Sequence, residues 1–88
     1  MQLPAILTLA QAEPTLAALR QQLPAQGAQV SLDASALREF DSAALAVLLA
    51  LRRDCQALGK NLVCRQPTPR LMALASLYGI EALITPLN

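Results

Sequence analysis

The chain has 88 residues, which suffices for one small domain with a modest hydrophobic core, and we predict a single domain over residues 1–88. Its composition is 55% hydrophobic with one Tyr, one Phe and no Trp, and its net charge is +1 with scattered Arg residues, so a nucleic-acid partner is disfavoured. The lack of His removes the commonest general base, and with it Ser-His and Cys-His nucleophile schemes.

Membrane insertion, secretion and metal binding are also disfavoured by the sequence. The longest apolar run, residues 43–51, is about half of the ~20 residues that a membrane-spanning helix needs. The amino terminus does not have the pattern of a signal peptide, so we expect a cytoplasmic protein. Cys55 and Cys64 lack the further Cys or His residues of a metal site, so we expect buried, reduced thiols. We therefore expect no metal, no cofactor and no enzymatic activity.

The amino-terminal half predicts a strand, a helix and a second strand. Residues 5–9 form a short apolar run typical of a strand, which we expect to end before Glu13. Pro14 suits the first turn of a helix, and leucines at helical spacing extend that helix until Pro24 stops it. Residues 30–33 alternate between apolar and polar side chains, as in a strand with one covered face.

The carboxyl-terminal half predicts two more helices around a third strand. A long helix covers residues 42–58 and ends at Gly59, and a strand follows over residues 61–65. Residues 68–79 form a helix that begins with a capping hydroxyl and a proline and ends at a glycine. Residues 80–85 are either a short terminal strand or a docked tail. The order β-α-β-α-β-α predicts an α/β domain with a mixed, mostly parallel sheet flanked by helices.

The long second helix is apolar on more than one face. Because the chain turns by ~100° per residue, one stripe suits the core; it comprises Ala44, Val47, Leu48, Leu51, Cys55 and Leu58. The opposite side has Ser42, Ala46, Leu49, Arg53 and Gln56, with Leu45 on the flank. Either a neighbouring helix of the same domain covers Leu45 and Leu49, or these residues form an exposed docking surface for another protein.

Asp41 and Ser42 stand where this helix begins. A carboxylate beside the first helical turn is a common cap for unpaired backbone amides, and capping alone explains Asp41. Serine is also tolerated in any first helical turn. A phosphorylated Ser42 would be favoured by the helix dipole and the free amides and opposed by Asp41. The chemistry therefore permits a phosphorylation switch at Ser42 without requiring one.

Two of these segments together resemble a known family. The pattern consists of a strand at residues 30–33, a short loop, and an apolar helix that opens with Phe-Asp-Ser-Ala-Ala-Leu at residues 40–45. It resembles the STAS domain, named for sulphate transporters and anti-sigma factor antagonists. The family motif is Asp, then Ser or Thr, then small residues, then Leu. The resemblance implies a small sheet flanked by helices. Alanines occupy the small positions here.

The tail of the chain resembles one branch of that family. Its matching residues are Pro69, Leu71, Leu74, Ala75, Leu77, Tyr78, Gly79 and Leu83, and the branch is the STAS subunit of the Mla phospholipid transporter. The resemblance implies a non-enzymatic subunit that supports the ATPase of an ABC transporter, in a complex with its permease, and so lies at the inner membrane only through that partner. Such a transporter moves phospholipids between the inner and outer membranes and maintains outer-membrane lipid asymmetry.

The resemblance also assigns site residues in this sequence. It places partner contact at Asp41 and Ser42, and the exposed side of the helix extends that surface through Leu45, Ala46, Leu49 and Arg53. Asp33 matches the acidic end of the family's strand, although a turn carboxylate bonding to Ala34 or Ser35 explains it equally well. Arg52 and Arg53 either pair with acids of a partner or are simply solvated. The alternative function is an anti-sigma factor antagonist regulated by phosphorylation of Ser42.

Overall fold

The computed structural model describes residues 1–80, and the possible terminal strand at residues 83–85 lies outside them. The helices are α1 (Leu9–Gln22), α2 (Ser42–Ala57) and α3 (Pro69–Leu77), and a 3₁₀ turn at Leu23–Ala25 follows α1. The strands are β1 (Ile6–Leu7), β2 (Gln29–Asp33), β3 (Glu39–Phe40) and β4 (Asn61–Arg65). The predicted α/β class is confirmed, with three helices alternating with short strands.

Every strand pair within residues 1–80 is parallel. β2 pairs with β4 along five residues, from Gln29 opposite Asn61 to Asp33 opposite Arg65. β1 pairs with β3 along two residues. A parallel bridge between Gln2 and Asp33 connects the amino-terminal segment to the end of β2. The helical connections that parallel strands require are supplied by α1 and α2.

The strands β2 and β4 and the helices α2 and α3 begin and end close to where the sequence predicted them. α2 ends at Ala57 and is followed by Gly59 at φ +72°, the left-handed conformation that favours glycine. α3 begins after Thr68, whose hydroxyl accepts the Leu71 N–H at 3.2 Å, and Gly79 at φ +70° follows it. Local capping signals decided these boundaries.

The start of α1 differs from the prediction. The helix begins at Leu9, so the strand is confined to Ile6–Leu7 and Pro14 lies inside the helix rather than in its first turn. Thr8 is the N-cap, and the Gln11 side chain accepts its backbone N–H at 3.1 Å. This arrangement is part of a capping box, and it satisfies a donor that the helix itself leaves free.

Strand β3 was not predicted. It consists of Glu39 and Phe40 alone, which is too short to show alternation. The Ala5 carbonyl accepts the N–H groups of Arg38 at 2.8 Å and Glu39 at 3.0 Å. Contact with the amino-terminal segment therefore creates this strand, not its own propensity.

The core is built almost entirely from aliphatic side chains. α2 packs against both α1 and β4, so its buried arc is wider than the single stripe predicted for it; it comprises Ala44, Leu45, Val47, Leu48, Leu51 and Cys55. The expectation that Leu45 lies on the exposed side is wrong, since its exposed fraction is 4%. Leu58 was expected in the core but is 53% exposed, because the helix ends at Ala57 and Leu58 leaves the buried stripe.

Both cysteines are free and buried, as predicted. Burial raises the pKa of the Cys64 thiol to about 11 and raises the pKa of the Cys55 thiol. Both side chains therefore act as small apolar core residues. None of the helices within residues 1–80 combines the length and the apolar character that crossing a bilayer would take.

Candidate functional site

The carboxylate of Asp41 joins the amino ends of two helices. Its Oδ1 accepts the Ala43 N–H at 2.8 Å, which is the N-cap bond of α2. Its Oδ2 accepts the N–H of Leu9, the first residue of α1, at 3.3 Å. One side chain thus satisfies a free donor of each helix and links their amino ends, while the core packs α1 against α2. The predicted capping role of Asp41 is confirmed, and the bond to α1 is an addition to it.

Ser42 is exposed at the first position of α2. Its hydroxyl makes no hydrogen bond to any of residues 1–80, whereas the neighbouring Asp41 provides the cap. The side chain is therefore free to contact another molecule. It stands at the positive end of the α2 dipole and beside the negative charge of Asp41.

Two open grooves meet at Ser42 and Tyr78. The first, of about 500 Å³, we name the Arg70 groove; it is lined by Phe40, Asp41, Ser42, Arg70, Ala73, Leu74, Leu77 and Tyr78. The second, of about 290 Å³, we name the Leu49 groove; it is lined by Ser42, Leu45, Ala46, Leu49, Tyr78 and Ile80. Because they share two residues, the grooves form one surface between α2 and α3.

The shared surface is apolar, with few charges. Leu77 is 80% exposed and Tyr78 is 57% exposed at the end of α3. Leu9, whose backbone bonds to Asp41, is 79% exposed. Large apolar side chains left in water around one polar motif are typical of surfaces that bind other proteins.

The structure brings five of the six predicted contact residues to the two grooves. Ser42, Ala46 and Leu49 share one face of α2 and line the Leu49 groove, while Asp41 lines the adjoining one. Leu45 also lines the Leu49 groove, but it is 4% exposed and belongs to the core. Arg53 is exposed one turn beyond Leu49 and lines neither groove. A role of these residues in binding a partner stays a prediction.

Three groove residues at and just beyond α3 were not predicted as contact residues. Leu71 and Ala75 form the buried stripe of α3, whereas Tyr78 lies beyond the last helical residue and is exposed. Leu77 falls outside that stripe, so helical spacing alone would have predicted its exposure. The position of Arg70 at the groove depends on the packing of α3 beside Phe40, which no sequence pattern indicates.

Asp33 has a local structural role. Its Oδ1 accepts the backbone N–H of Ser35 at 2.8 Å, as the turn interpretation predicted. This bond, together with the Ser35 hydroxyl, holds the pKa of the Asp33 carboxyl below its ordinary value of 3.8. Asp33 lines neither groove, and the structure gives it no place in the candidate site.

The fold and the site define a small parallel α/β domain with an apolar surface around the start of its longest helix. A family model described as "Mlab, STAS domain" matches residues 1–85 of the chain. The chain therefore belongs to the STAS domain family. No curated protein matches it.

Proposed function

We propose that this chain is a non-enzymatic accessory subunit that binds the ATPase of a Mla-type ABC transporter, within a complex that includes the permease. In this role it supports the movement of phospholipids between the inner and outer membranes, and so the maintenance of outer-membrane lipid asymmetry. The observation that carries the proposal is the match of the Mlab family model to nearly the whole chain, residues 1–85. The subunit is cytoplasmic and reaches the inner membrane through its ATPase partner.

The surface between α2 and α3 supports a binding role. Within residues 1–80, exposed apolar side chains lie beside Asp41 and Ser42. Asp41 already accepts two backbone bonds, which suits a structural residue better than a general base. Apolar contact from Leu49, Leu77 and Tyr78 would supply most of the affinity, with Ser42 at the polar edge.

Co-purification tests this proposal. The chain is expressed with the ATPase and permease of a Mla-type transporter, an affinity tag is placed on the ATPase, and the complex is separated by size-exclusion chromatography. We expect the chain to co-elute with the ATPase and to hydrolyse no ATP when it is purified alone. Absence of the chain from the complex at low micromolar concentration would rule out the proposed partner.

Phosphorylation of Ser42 is the basis of a second candidate, an anti-sigma factor antagonist. The observation that favours it is the exposed hydroxyl of Ser42, which lines both grooves. A phosphate there would place about two negative charges at the polar edge of the surface and beside Asp41, which would weaken apolar contact with a partner. Intact-mass measurement after incubation with candidate serine kinases, with Ser42→Ala as control, distinguishes the two candidates. A mass increase lost in Ser42→Ala would favour the second.

A further inference from the structure

The two opposite charges of the Arg70 groove are not paired with each other within the part of the chain that the structure describes. Arg70 and Asp41 are the two charged residues that line it. Both carboxylate oxygens of Asp41 accept backbone N–H groups, from Ala43 and Leu9. The ion pair found within residues 1–80 joins Arg20 to Asp54, at a different place on the surface. Arg70 is therefore a cation without a carboxylate partner among these residues.

Two contacts orient the exposed guanidinium of Arg70. Its Cζ lies 5.2 Å from the centroid of the Phe40 ring, at cation–π distance. Its Nη1 donates to the Arg38 carbonyl at 3.4 Å. A guanidinium has five N–H donors in a planar fork, so most of them stay free for a ligand. An incoming carboxylate would meet a prearranged, bidentate donor.

We propose that the Arg70 groove receives an apolar segment of the partner protein that has a Glu or Asp side chain, and that its carboxylate pairs with Arg70. This inference rests on the proposed function and specifies the chemistry of the ATPase segment that docks here. Leu74, Leu77 and Tyr78 line the groove, so a docked segment would displace water from around the guanidinium. An ion pair formed there is less screened than one in open solvent.

Charge complementarity selects an acidic segment over other occupants. A basic or wholly apolar segment would remove water from Arg70 without supplying a carboxylate to it. Asp41 does not supply one, because both of its oxygens accept backbone N–H groups and it forms no ion pair with Arg70. An unpaired charge out of water is costly. An acidic side chain on the segment offsets the cost of removing water from Arg70, and its pairing with Arg70 fixes how the segment is aligned along the groove. The apolar lining supplies the affinity, and Arg70 supplies the selectivity.

The test measures the dissociation constant between the full chain and the purified ATPase by calorimetry. The variants are Arg70→Gln and Arg70→Glu, and Arg65→Glu is the matched control because Arg65 is exposed on β4 and lines neither groove. We expect Arg70→Glu to weaken binding more than about tenfold, Arg70→Gln to weaken it less, and Arg65→Glu to change it less than about twofold. Circular dichroism of each variant verifies the fold.

Salt dependence separates an ionic role of Arg70 from a purely structural one. Between about 50 and about 500 mM NaCl the wild-type affinity should fall, and the affinity of Arg70→Gln should fall less steeply. Replacing the partner acid with Lys should restore binding to Arg70→Glu. An unchanged dissociation constant and an unchanged salt slope in Arg70→Gln would overturn the inference while the proposed function stands.

Other occupants of the groove give different results. The chain could instead self-associate or bind vesicles of anionic phospholipid through this groove. If Arg70→Glu abolished either of these interactions and left ATPase binding unchanged, the inference would be overturned. Failure of the wild-type chain to bind the ATPase would overturn the proposed function itself, and this inference with it.

Discussion

Asp41 accepts a hydrogen bond from the backbone N–H of Leu9, 32 positions earlier in the chain, at 3.3 Å. Its other carboxylate oxygen caps α2 through Ala43. The residue that begins the family motif therefore also links the amino ends of α1 and α2. A loss of Asp41 should affect the fold as well as any contact surface built on it.

Replacing Asp41 with Ala should destabilise the domain by about 1–2 kcal/mol, because an N-cap is lost and the Leu9 N–H loses its acceptor. Asp41→Asn should cost less, since the amide oxygen can still cap α2. Urea unfolding measures the free energy. Ser42→Ala is the matched control, and it should change stability by less than about 0.5 kcal/mol. An equal cost for Asp41→Ala and Ser42→Ala would contradict the shared cap.

Truncation to Ala should lower the free energy of unfolding strongly at Leu45 and hardly at all at Leu77. Leu45 is 4% exposed, so Leu45→Ala should cost about 2–5 kcal/mol through lost burial and a residual cavity. Leu77 is 80% exposed, so Leu77→Ala should change stability by less than about 0.5 kcal/mol. Thermal and urea unfolding measure both. A tolerated Leu45→Ala would show that this side chain is not part of the core.

The two cysteines should resist thiol reagents in the folded protein. Burial raises the pKa of Cys64 to about 11, so at pH 8 only about one molecule in a thousand has the reactive thiolate, and access to it is blocked as well. Cys55 is buried in α2, and burial raises its pKa too. Labelling followed by intact-mass measurement should show slow modification in buffer and rapid modification of both thiols in urea. Fast labelling without denaturant would contradict the buried positions.

Asp33 should make stability depend on acid pH. Its pKa in the folded chain is below the ordinary 3.8, chiefly because the Ser35 N–H donates to the ionised carboxylate. The folded state therefore binds this proton less readily than the unfolded state. The stabilisation is complete above pH about 5, where the carboxyl is ionised in both states, and is lost as the pH falls through 3.8 and the lower folded-state pKa. Asp33→Asn should remove this part of the pH dependence.

The measurement for Asp33 is the urea midpoint of both proteins at neutral pH and at pH about 3. On acidification, the urea concentration at the unfolding midpoint should fall further for the wild type than for Asp33→Asn. Glu39→Gln is a suitable control, because Glu39 is exposed at β3. Identical losses in the wild type and Asp33→Asn would contradict the depressed pKa.

Local signals in the sequence predicted much of the fold. Gly59 marks the end of α2 because it adopts the left-handed backbone conformation that other residues disfavour. Thr68 marks the start of α3 because its hydroxyl accepts the Leu71 N–H within the first turn. Neither effect needs distant residues. β3 and the pairing of Asp41 with Leu9 depend on residues more than 30 positions apart, which periodicity does not report. Leu45 was misplaced because α2 is covered from two directions, by α1 and β4.

The candidate site was predictable only on its α2 side. Asp41, Ser42, Ala46 and Leu49 follow from one helix and one motif. The facing wall is formed by Arg70, Leu77 and Tyr78, and it exists because α3 packs beside Phe40 and the start of α2. A sequence pattern indicates which residues share a face of one helix. Predicting a groove also requires the relative position of two helices.

Affinity of the chain for its ATPase partner, measured by calorimetry for single charge insertions, tests the central claim most directly. Leu77→Asp and Leu49→Asp place a carboxylate in the two grooves, and Leu58→Asp places the same group on an exposed leucine outside both. With folding verified by circular dichroism, we expect the two groove variants to bind at least about tenfold more weakly and Leu58→Asp to bind like the wild type. Equal affinities for all three variants would contradict docking through the surface between α2 and α3.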